Sequence, residues 1–314
     1  MNIGIDMMGG DFAPLEAVKG IQPYLSASQP ETCLICIGDE AVLKPMLAEY
    51  GLALPNIRTV HTSQVIGMHE HPTKALKEKQ DSSIAVGFKM LAKGEIDAFI
   101  SAGNTGAMLV GALYSIKAIP GILRPTISSV LPKLNGGTGV LLDVGLNADC
   151  KPENLNQFAI LGSLYASNVL GIDNPRVALL NVGEEEGKGN VLAQASYALL
   201  KENPKINFIG NIEGRDILMD KADVLVCEGF VGNVILKMAE SLYDIAIERQ
   251  IQHDGFFSRF NYEAVGGTPV LGVSKPVIIG HGISNYTAFG NMILLAEKML
   301  QCQLCKAIEE SFKS

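Results

Sequence analysis

One pattern recurs along the chain and limits its fold more than any other feature. A short run of apolar, often β-branched residues is followed by a glycine-rich turn and then by a stretch with the apolar spacing of a helix. This alternation is typical of an α/β fold. The clearest apolar runs lie at residues 3–6, 98–101, 140–143, 177–182, 224–227 and 277–279. Loops that leave the carboxyl ends of parallel strands gather at one edge of a sheet, so we expect six polar, glycine-rich loops to meet there and bind a ligand.

Length and composition favour a large packed core. Of the 314 residues, 47% are hydrophobic and 18% are charged. This length and apolar content can form the core of one large α/β domain or of two ordinary ones. Since no Ser/Gly-rich linker and no internal repeat divides the chain, we expect a single domain over residues 1–314. Between residues 120 and 140, Pro120, Pro125 and Pro132 flank short apolar runs and predict a hairpin or an arm used for dimer contact.

Charge and hydropathy exclude several classes of protein. The net charge is −8 and no Lys/Arg run occurs, which argues against nucleic acid as a partner and against general attraction to anionic lipid. The first residues resemble a strand rather than a signal peptide, and no apolar run reaches the roughly 18 residues of a membrane span. We therefore expect a cytoplasmic protein.

The six cysteines include two C-x-x-C pairs, Cys33/Cys36 and Cys302/Cys305. The first pair lies in an apolar run that predicts a buried strand, and the second lies in a predicted C-terminal helix without the loop of a zinc site. We interpret the cysteines as small buried hydrophobic residues and expect no metal and no cofactor. The sequence also lacks G-x-S-x-G, H-E-x-x-H and an early G-x-G-x-x-G, which weighs against serine hydrolases, zinc proteases and nucleotide-dependent dehydrogenases.

The loop at residues 183–190 carries the strongest candidate for anion binding. Lys188 lies in a glycine-rich turn between a predicted strand and a predicted helix, a common place for phosphate recognition. The spacing is not that of a P-loop, because Gly183 and Gly187 enclose three residues, all glutamates, and Gly189 follows the lysine. The alternative interpretation is a solvated turn with a surface lysine.

Three other loops carry polar groups at predicted helix starts. Residues 103–106, Gly-Asn-Thr-Gly, offer backbone N–H donors for phosphate, but the same residues are typical of an N-cap. Asn233, at the head of a predicted helix, can donate to an oxyanion or act as an N-cap. His281, between two glycines, can shuttle a proton, bind phosphate or simply bond to its own loop.

Several segments together resemble the PlsX-type phosphate acyltransferases. They are Asp6-Met-Met-Gly-Gly-Asp-Phe-Ala-Pro14, Ser101-Ala-Gly-Asn-Thr-Gly-Ala107, Asp143-Val-Gly-Leu-Asn-Ala-Asp149, Leu180-Asn-Val-Gly183, Gly229-Phe-Val-Gly-Asn-Val234 and His281-Gly-Ile-Ser284. Each is weak alone, but their order and spacing from residue 1 to the last helix make the set specific.

The resemblance implies a homodimer with a three-layer α/β/α sandwich and a mixed, Rossmann-like sheet, similar to phosphotransacetylases and isocitrate dehydrogenases. It implies transfer of a fatty acyl group from acyl carrier protein to inorganic phosphate, for phospholipid synthesis. The family's catalytic Lys and Asn correspond to Lys188 and Asn233. Substrate or phosphate binding is expected from the matching motif residues Gly9, Gly10, Asp11, Gly103, Asn104, Thr105, Gly106, Asp143, Asn147, Gly187, Gly232, His281 and Ser284.

Two departures from the family pattern bear on these expectations. Asn285 stands where relatives often have Asp, and the segment between residues 250 and 262 is shorter than the amphipathic hairpin by which some relatives attach to membranes. Phe256, Phe257 and Phe260 make residues 250–270 a candidate for weak peripheral membrane contact or, alternatively, for dimer contact. The competing functions are a phosphotransacetylase-like enzyme that uses acyl-CoA and a non-catalytic scaffold of lipid synthesis.

Overall fold

The computed structural model describes residues 1–27, 31–251 and 255–313. Its strands are β1 (Asn2–Asp6), β2 (Cys33–Gly38), β3 (Ile57–His61), β4 (Ala98–Ser101), β5 (Thr126–Pro132), β6 (Thr138–Leu142), β7 (Arg176–Leu180), β8 (Asn207–Ile212), β9 (Val224–Val226), β10 (Thr268–Leu271) and β11 (Val277–Ile279). Its α-helices are α1 (Leu15–Ala27), α2 (Glu40–Glu49), α3 (Pro72–Glu78), α4 (Ser83–Lys93), α5 (Thr105–Gly111), α6 (Pro152–Asn168), α7 (Val191–Lys201), α8 (Gly229–Glu248), α9 (Tyr262–Val265), α10 (Tyr286–Gln301) and α11 (Leu304–Phe312). All six apolar runs singled out in the sequence contain a strand.

The chain forms two compact units, residues 1–118 with 262–305 and residues 119–261 with 306–314. In the first unit the strand order is β3-β2-β1-β4-β11-β10. All neighbours are parallel except β10, which pairs antiparallel with β11. The loops after β1, β4 and β11 therefore leave from one edge of this sheet, as predicted. The prediction of a single domain stays a prediction.

The second unit has the strand order β5-β6-β9-β7-β8. The strands β6, β9, β7 and β8 are parallel, and β5 pairs antiparallel with β6. The prediction of a hairpin between residues 120 and 140 is thus confirmed in part, since the β5–β6 pair spans residues 126–142. The loops after β6, β7 and β9 share one edge, and each unit contains a mixed sheet with flanking helices.

Burial follows the apolar pattern. The central strands β1, β4, β6 and β9 are buried along almost their whole length because helices pack on them. Within the described ranges, no helix is long and apolar enough to cross a membrane.

The interpretation of all six cysteines as buried hydrophobic residues is wrong for four of them. Cys36 and Cys227 are buried, whereas the other four are half-buried. Burial raises the pKa of the Cys36 thiol to about 12. The last two cysteines also do not share one helix, because Gln303 adopts φ of 51°, a left-handed conformation that separates α10 from α11.

Candidate functional site

The loop after β6 is organised by a buried carboxylate. Asp143 is 0% exposed and accepts hydrogen bonds from the backbone N–H groups of Gly145, Leu146 and Asn147 at 2.9–3.0 Å. Burial raises the pKa of this carboxyl, while the hydrogen bonds act in the opposite direction. The Asn147 amide donates to Asp143 and, at 2.9 Å, to the carbonyl of Pro125. Asp143 and Asn147 thus hold the loop in shape, and direct substrate contact by them stays a prediction.

The candidate catalytic amide lies on α8, but the predicted position at the helix head is wrong. The N-cap of α8 is Glu228, whose carboxylate accepts from the N–H groups of Phe230 and Val231 at 2.6 and 3.2 Å. Asn233 lies in the second turn, is exposed, and donates from Nδ2 to the carbonyl of Val144 at 3.1 Å. The N-cap alternative for Asn233 is therefore also wrong.

Close packing explains the glycine that precedes this amide. A Cβ on Gly232 would lie 1.8 Å from the carbonyl oxygen of Asp143, so no larger residue fits between α8 and the β6 loop. The contact brings Gly232, Asp143 and Asn233 together at the edge of the sheet. Gly232 thus acts through packing, and its contact with substrate stays a prediction.

Lys188 lies in a loop whose acidic charge is compensated. Its side chain is 52% exposed, and its nearest acidic partner is Glu185 with an Nζ–Oε2 distance of 3.9 Å. The two other glutamates pair with lysines outside the loop, Glu184 with Lys221 at 2.8 Å and Glu186 with Lys201 at 2.9 Å. The repulsion that three consecutive glutamates would exert on an anion is therefore offset, and Lys188 stays accessible.

Two side-chain amides hold the backbone of this loop, one from Asn181 in the motif at residues 180–183 and one from Gln194, which lies in none of the motifs. Asn181 donates to the carbonyl of Lys188 at 3.1 Å. Gln194, on α7, donates to the carbonyls of Gly187 and Gly189, each at 3.1 Å. Three successive carbonyls are thus bound to side-chain amides, which fixes the path of the loop around Lys188. Only the tertiary fold reveals these contacts, because an isolated Asn or Gln carries no sequence signal for them.

In the first unit a buried hydrogen-bond chain joins the loops after β1 and β4. Asp6 is 0% exposed and accepts from the Ser101 hydroxyl at 2.6 Å and from the Met8 N–H at 3.0 Å. The Ser101 hydroxyl accepts in turn from the N–H of Gly103 at 2.9 Å. Burial raises the pKa of Asp6, against the opposing effect of these hydrogen bonds. The contact is tight, since a Cβ on Gly9 would lie 2.7 Å from the Gly103 nitrogen.

The Gly103–Gly106 loop uses much of its hydrogen-bonding capacity internally. Asn104 is buried and is the N-cap of α5, accepting from the Ala107 N–H at 2.9 Å, which confirms the N-cap alternative. Its amide also donates to three carbonyls in residues 67–70. Thr105 is exposed and Gly106 is half-buried. Phosphate binding by this loop stays a prediction, and the Asn104 amide group already donates to these carbonyls.

The loop after β11 joins the same edge of the first unit. The N–H of Asp11 donates to the carbonyl of Gly282 at 2.7 Å, so the segment with Gly9, Gly10 and Asp11 contacts the segment with His281 and Ser284. Asn285 is the N-cap of α10 and accepts from the Ala288 N–H at 3.1 Å. The Asn at this position therefore has a structural role.

The predicted site residues thus fall into one cluster in each unit. Lys188, Gly187, Asn233, Gly232, Asp143 and Asn147 belong to the second unit, and the others belong to the first. Within the second unit, Lys188 follows β7 and Asn233 follows β9, its neighbour in the sheet. Among the described contacts, no hydrogen bond joins these two side chains.

Comparison with known proteins gives a family for the whole chain. Residues 1–307 match the model of a family described as "Fatty acid synthesis protein". The phosphate acyltransferase of Dictyoglomus turgidum is 43% identical, over 99% of this chain and 97% of that protein. That of Thermoanaerobacterium thermosaccharolyticum is 43% identical, over 100% of this chain and 97% of that protein.

Solved structures support the fold independently. A phosphotransacetylase from Streptococcus pyogenes has a TM-score of 0.68 at 16% identity and covers 96% of this chain and 94% of that chain. A branched-chain phosphotransacylase from Enterococcus faecalis V583 has a TM-score of 0.62 at 17% identity and covers 96% and 99%. The predicted α/β fold with a mixed sheet, similar to phosphotransacetylases, is confirmed. Because the family model matches residues 1–307 of the chain and relatives are 43% identical over nearly all of it, the chain belongs to the PlsX-type phosphate acyltransferase family.

Proposed function

We propose that this protein transfers a fatty acyl group from acyl carrier protein to inorganic phosphate and so makes acyl phosphate for phospholipid synthesis. The observation that carries the proposal is the nearly full-length match to phosphate acyltransferases at 43% identity. The exposed, charge-compensated position of Lys188 supports it, because an accessible cation is what an attacking phosphate needs.

The proposed reaction needs no covalent enzyme intermediate. An oxygen of hydrogen phosphate attacks the thioester carbonyl carbon and forms the new C–O bond. The tetrahedral intermediate then breaks its C–S bond, and the proton of hydrogen phosphate ends on the departing thiol sulfur. Atoms and charge balance without an oxidant, a metal or a nucleotide, so the work of the protein is positioning and charge stabilisation.

Two residues of the second unit take distinct roles. Lys188 binds phosphate and stabilises the negative charge as it spreads towards the carbonyl oxygen. Asn233 carries two amide N–H groups, one of which bonds to Val144, so that contact orients the amide for donation to the oxyanion. The backbone donors of residues 103–106 and the His281 side chain belong to the first unit, and their help in binding phosphate stays a prediction.

A donor assay tests the proposal. We expect phosphate-dependent release of thiol from palmitoyl-acyl carrier protein, faster than from palmitoyl-CoA or acetyl-CoA at equal concentration. Thiol appearance is followed with a chromogenic disulfide. Acetyl-CoA as the best donor would instead indicate a phosphotransacetylase, and no turnover with any donor would favour the non-catalytic scaffold.

Replacement of Asn233 tests the oxyanion role. Asn233→Asp keeps the shape of the side chain but removes its N–H donors, so we expect kcat to fall by about 100-fold, as for other lost oxyanion donors. Lys237→Ala, one turn further along the exposed side of α8, serves as the control and should keep normal turnover. Near-normal kcat in Asn233→Asp with an unchanged melting temperature would contradict the role.

We also infer that the protein is a homodimer. Helix α8 exposes apolar side chains along its length, with Phe230 at 67%, Val234 at 55%, Met238 at 68% and Ile245 at 48% exposure. Exposed apolar stripes of this kind mark protein interfaces. Sedimentation equilibrium should give the mass of two chains, and Met238→Glu should shift it towards one.

Weak membrane contact through the Phe256–Phe260 segment would involve fewer phenylalanine rings than the sequence suggests. Phe260 is only 5% exposed and packs edge-on against Phe256, with 5.2 Å between ring centroids. Arg259 donates to the carbonyls of Gly136 and Gly137, which ties the segment to the β5–β6 turn. Of the three phenylalanines, Phe256 and Phe257 are half-buried, so contact of these aromatic rings with lipid depends on those two. Residues 252–254 of the predicted excursion at 250–270 lie outside the described residues.

A further inference from the structure

A groove opens in the second unit between the loop after β7 and the first turns of α8. Its volume is about 540 Å³, within the roughly 300–1,000 Å³ of small-molecule sites. It lies at the carboxyl ends of β7 and β9, next to the loop of Lys188. Most of its lining is aliphatic and comes from four elements, with Leu155, Leu179, Leu192, Ala193, Val231 and Ile235 as the main side chains.

The polar side chains in the lining already have partners. Asn181 bonds to the Lys188 carbonyl and accepts from the Val182 N–H at 2.8 Å. Asn190 accepts from the Ala193 N–H at 2.8 Å, and Glu228 caps α8. These groups hold the ends of the elements that form the groove, so most of the lining that is left to meet a ligand is hydrocarbon.

The aliphatic lining reaches the surface beside the candidate phosphate site. Val182 is 82% exposed and Val231 is 38% exposed, and both line the groove. Such side chains gain from a ligand that covers them with apolar surface. Gly189, which follows Lys188 directly, is also part of the wall. An apolar ligand in the groove therefore lies next to the loop that presents Lys188.

We propose that this groove binds the hydrocarbon chain of the acyl donor and places its thioester end at the Lys188 loop. A saturated chain has no hydrogen-bonding groups, which matches the lining, and each methylene that it buries raises affinity by about fourfold. The groove thus makes long-chain donors better substrates than short-chain ones. The inference rests on the proposed function and adds to it the part of the protein that recognises chain length.

Narrowing the groove tests the proposal. Ile235→Trp places an indole in the groove, whereas Ile247→Trp makes the same change on the same helix at a position that is 48% exposed and lies outside both the groove and the exposed apolar stripe of α8. With the first variant, we expect kcat/KM for palmitoyl-carrier protein to fall by about 10-fold or more and that for octanoyl-carrier protein to change less than about twofold. The Ile247→Trp control should keep both values. Equal losses for the two donors in Ile235→Trp, or no loss for either, would overturn the proposal.

A binding measurement separates the groove from the reaction. The thioether S-hexadecyl-pantetheine cannot transfer an acyl group, so calorimetry reports chain binding even if no donor is turned over. We expect wild type and Ile247→Trp to bind it alike and Ile235→Trp to bind it about 10-fold more weakly. Binding to wild type without turnover of any donor would refute the proposed function but would still support chain binding in the groove. No binding to wild type, or equal binding to all three proteins, would refute the proposal that the groove binds the hydrocarbon chain.

Folding of the variants can be checked directly. The natural chain contains no tryptophan, so the introduced indole is the only one in each variant. Its emission should lie at shorter wavelength in Ile235→Trp than in Ile247→Trp, because only the first is enclosed. If Ile235→Trp does not fold, Val231→Phe narrows the same groove from one turn earlier on α8. The measured quantity is again the ratio of kcat/KM for palmitoyl-carrier protein to kcat/KM for octanoyl-carrier protein.

Discussion

Replacing Lys188 by alanine should lower the rate of acyl transfer by about 100- to 1,000-fold, since a lost charge of this kind costs roughly 3–4 kcal/mol in the transition state. The melting temperature should hardly change. The side chain is 52% exposed and its ion pair with Glu185 is long, at 3.9 Å, so it contributes little to the free energy of unfolding. The measurement is initial rates at saturating phosphate together with thermal unfolding.

The loop offers a matched control for this experiment. Lys201 is 57% exposed and also pairs with a glutamate of the 184–186 run, at 2.9 Å. Lys201→Ala removes the same charge from the same neighbourhood without removing the proposed phosphate ligand, and it should keep normal turnover. Equal activity losses in the two variants would mean that the loop needs only net positive charge, and near-normal turnover in Lys188→Ala would refute the mechanism.

Two further variants refine the role of the lysine. Lys188→Arg should keep only a small part of the activity, because the planar guanidinium is larger than an ammonium and displaces the phosphate. The double variant Lys188→Ala with Asn233→Ala should be less impaired than the product of the single effects, since both residues serve one transition state.

Replacing Asp223 by alanine should lower the free energy of unfolding by about 3–5 kcal/mol, the usual cost of breaking a buried ion pair. Asp223 accepts from Lys133 at 2.5 Å and from Arg176 at 2.9 Å. Lys133 is only 3% exposed, so its charge would be left buried with a single, longer contact to Asp220 at 3.3 Å. Denaturant unfolding measures the loss.

Asp220 provides the control from the same network. Its side chain is 47% exposed and contacts both Lys133 and Arg176. Asp220→Ala should cost about 1 kcal/mol or less, as exposed ion pairs do. Losses of equal size for the two variants would contradict the assignment of the buried contact as the dominant one. Neither change should alter kcat of the folded protein, because the network lies at the end of the parallel strands opposite the candidate site.

The contribution of Asp223 should also depend on pH in a defined direction. Burial alone would raise the pKa of this carboxyl, but hydrogen bonds from Arg176 and Lys133 outweigh it and hold the pKa below its ordinary value of 3.8. A lowered pKa in the folded state means that the stabilisation is complete above the unfolded pKa and is lost as the pH falls through the folded one. The difference between wild type and Asp223→Ala should therefore be constant near neutral pH and shrink below about pH 4. A difference that grew on acidification would have the wrong sign.

The sequence predicted the architecture well because strand and helix periodicity are local properties. Each apolar run named from the sequence contains a strand, and each polar loop of interest follows the carboxyl end of a parallel strand. The ends of the strands differ slightly from the ends of the apolar runs. For example, the apolar run at residues 177–182 corresponds to a strand at Arg176–Leu180. There the chain turns to expose Val182, which apolar character alone does not predict.

The use of each polar side chain was decided by the tertiary structure. Asn104 and Asn233 both carry a side-chain amide in a segment that follows a strand. Asn104 caps its own helix, whereas Asn233 donates to the carbonyl of Val144. Glu228 caps α8 although Asp or Asn is more typical of that position.

By itself, the sequence determined the α/β fold, the loops that follow the strands, and the resemblance that placed Lys188 and Asn233 among the candidates. Only the tertiary structure decided that the glutamates beside Lys188 are each paired with a lysine, that Asn181 and Gln194 hold its loop, and that a groove lies beside it. The physical reason is the separation along the sequence of the residues that interact. Periodicity and turn chemistry depend on neighbours along the chain, whereas ion pairs, amide contacts and cavities depend on residues brought together by folding from distant parts of the sequence.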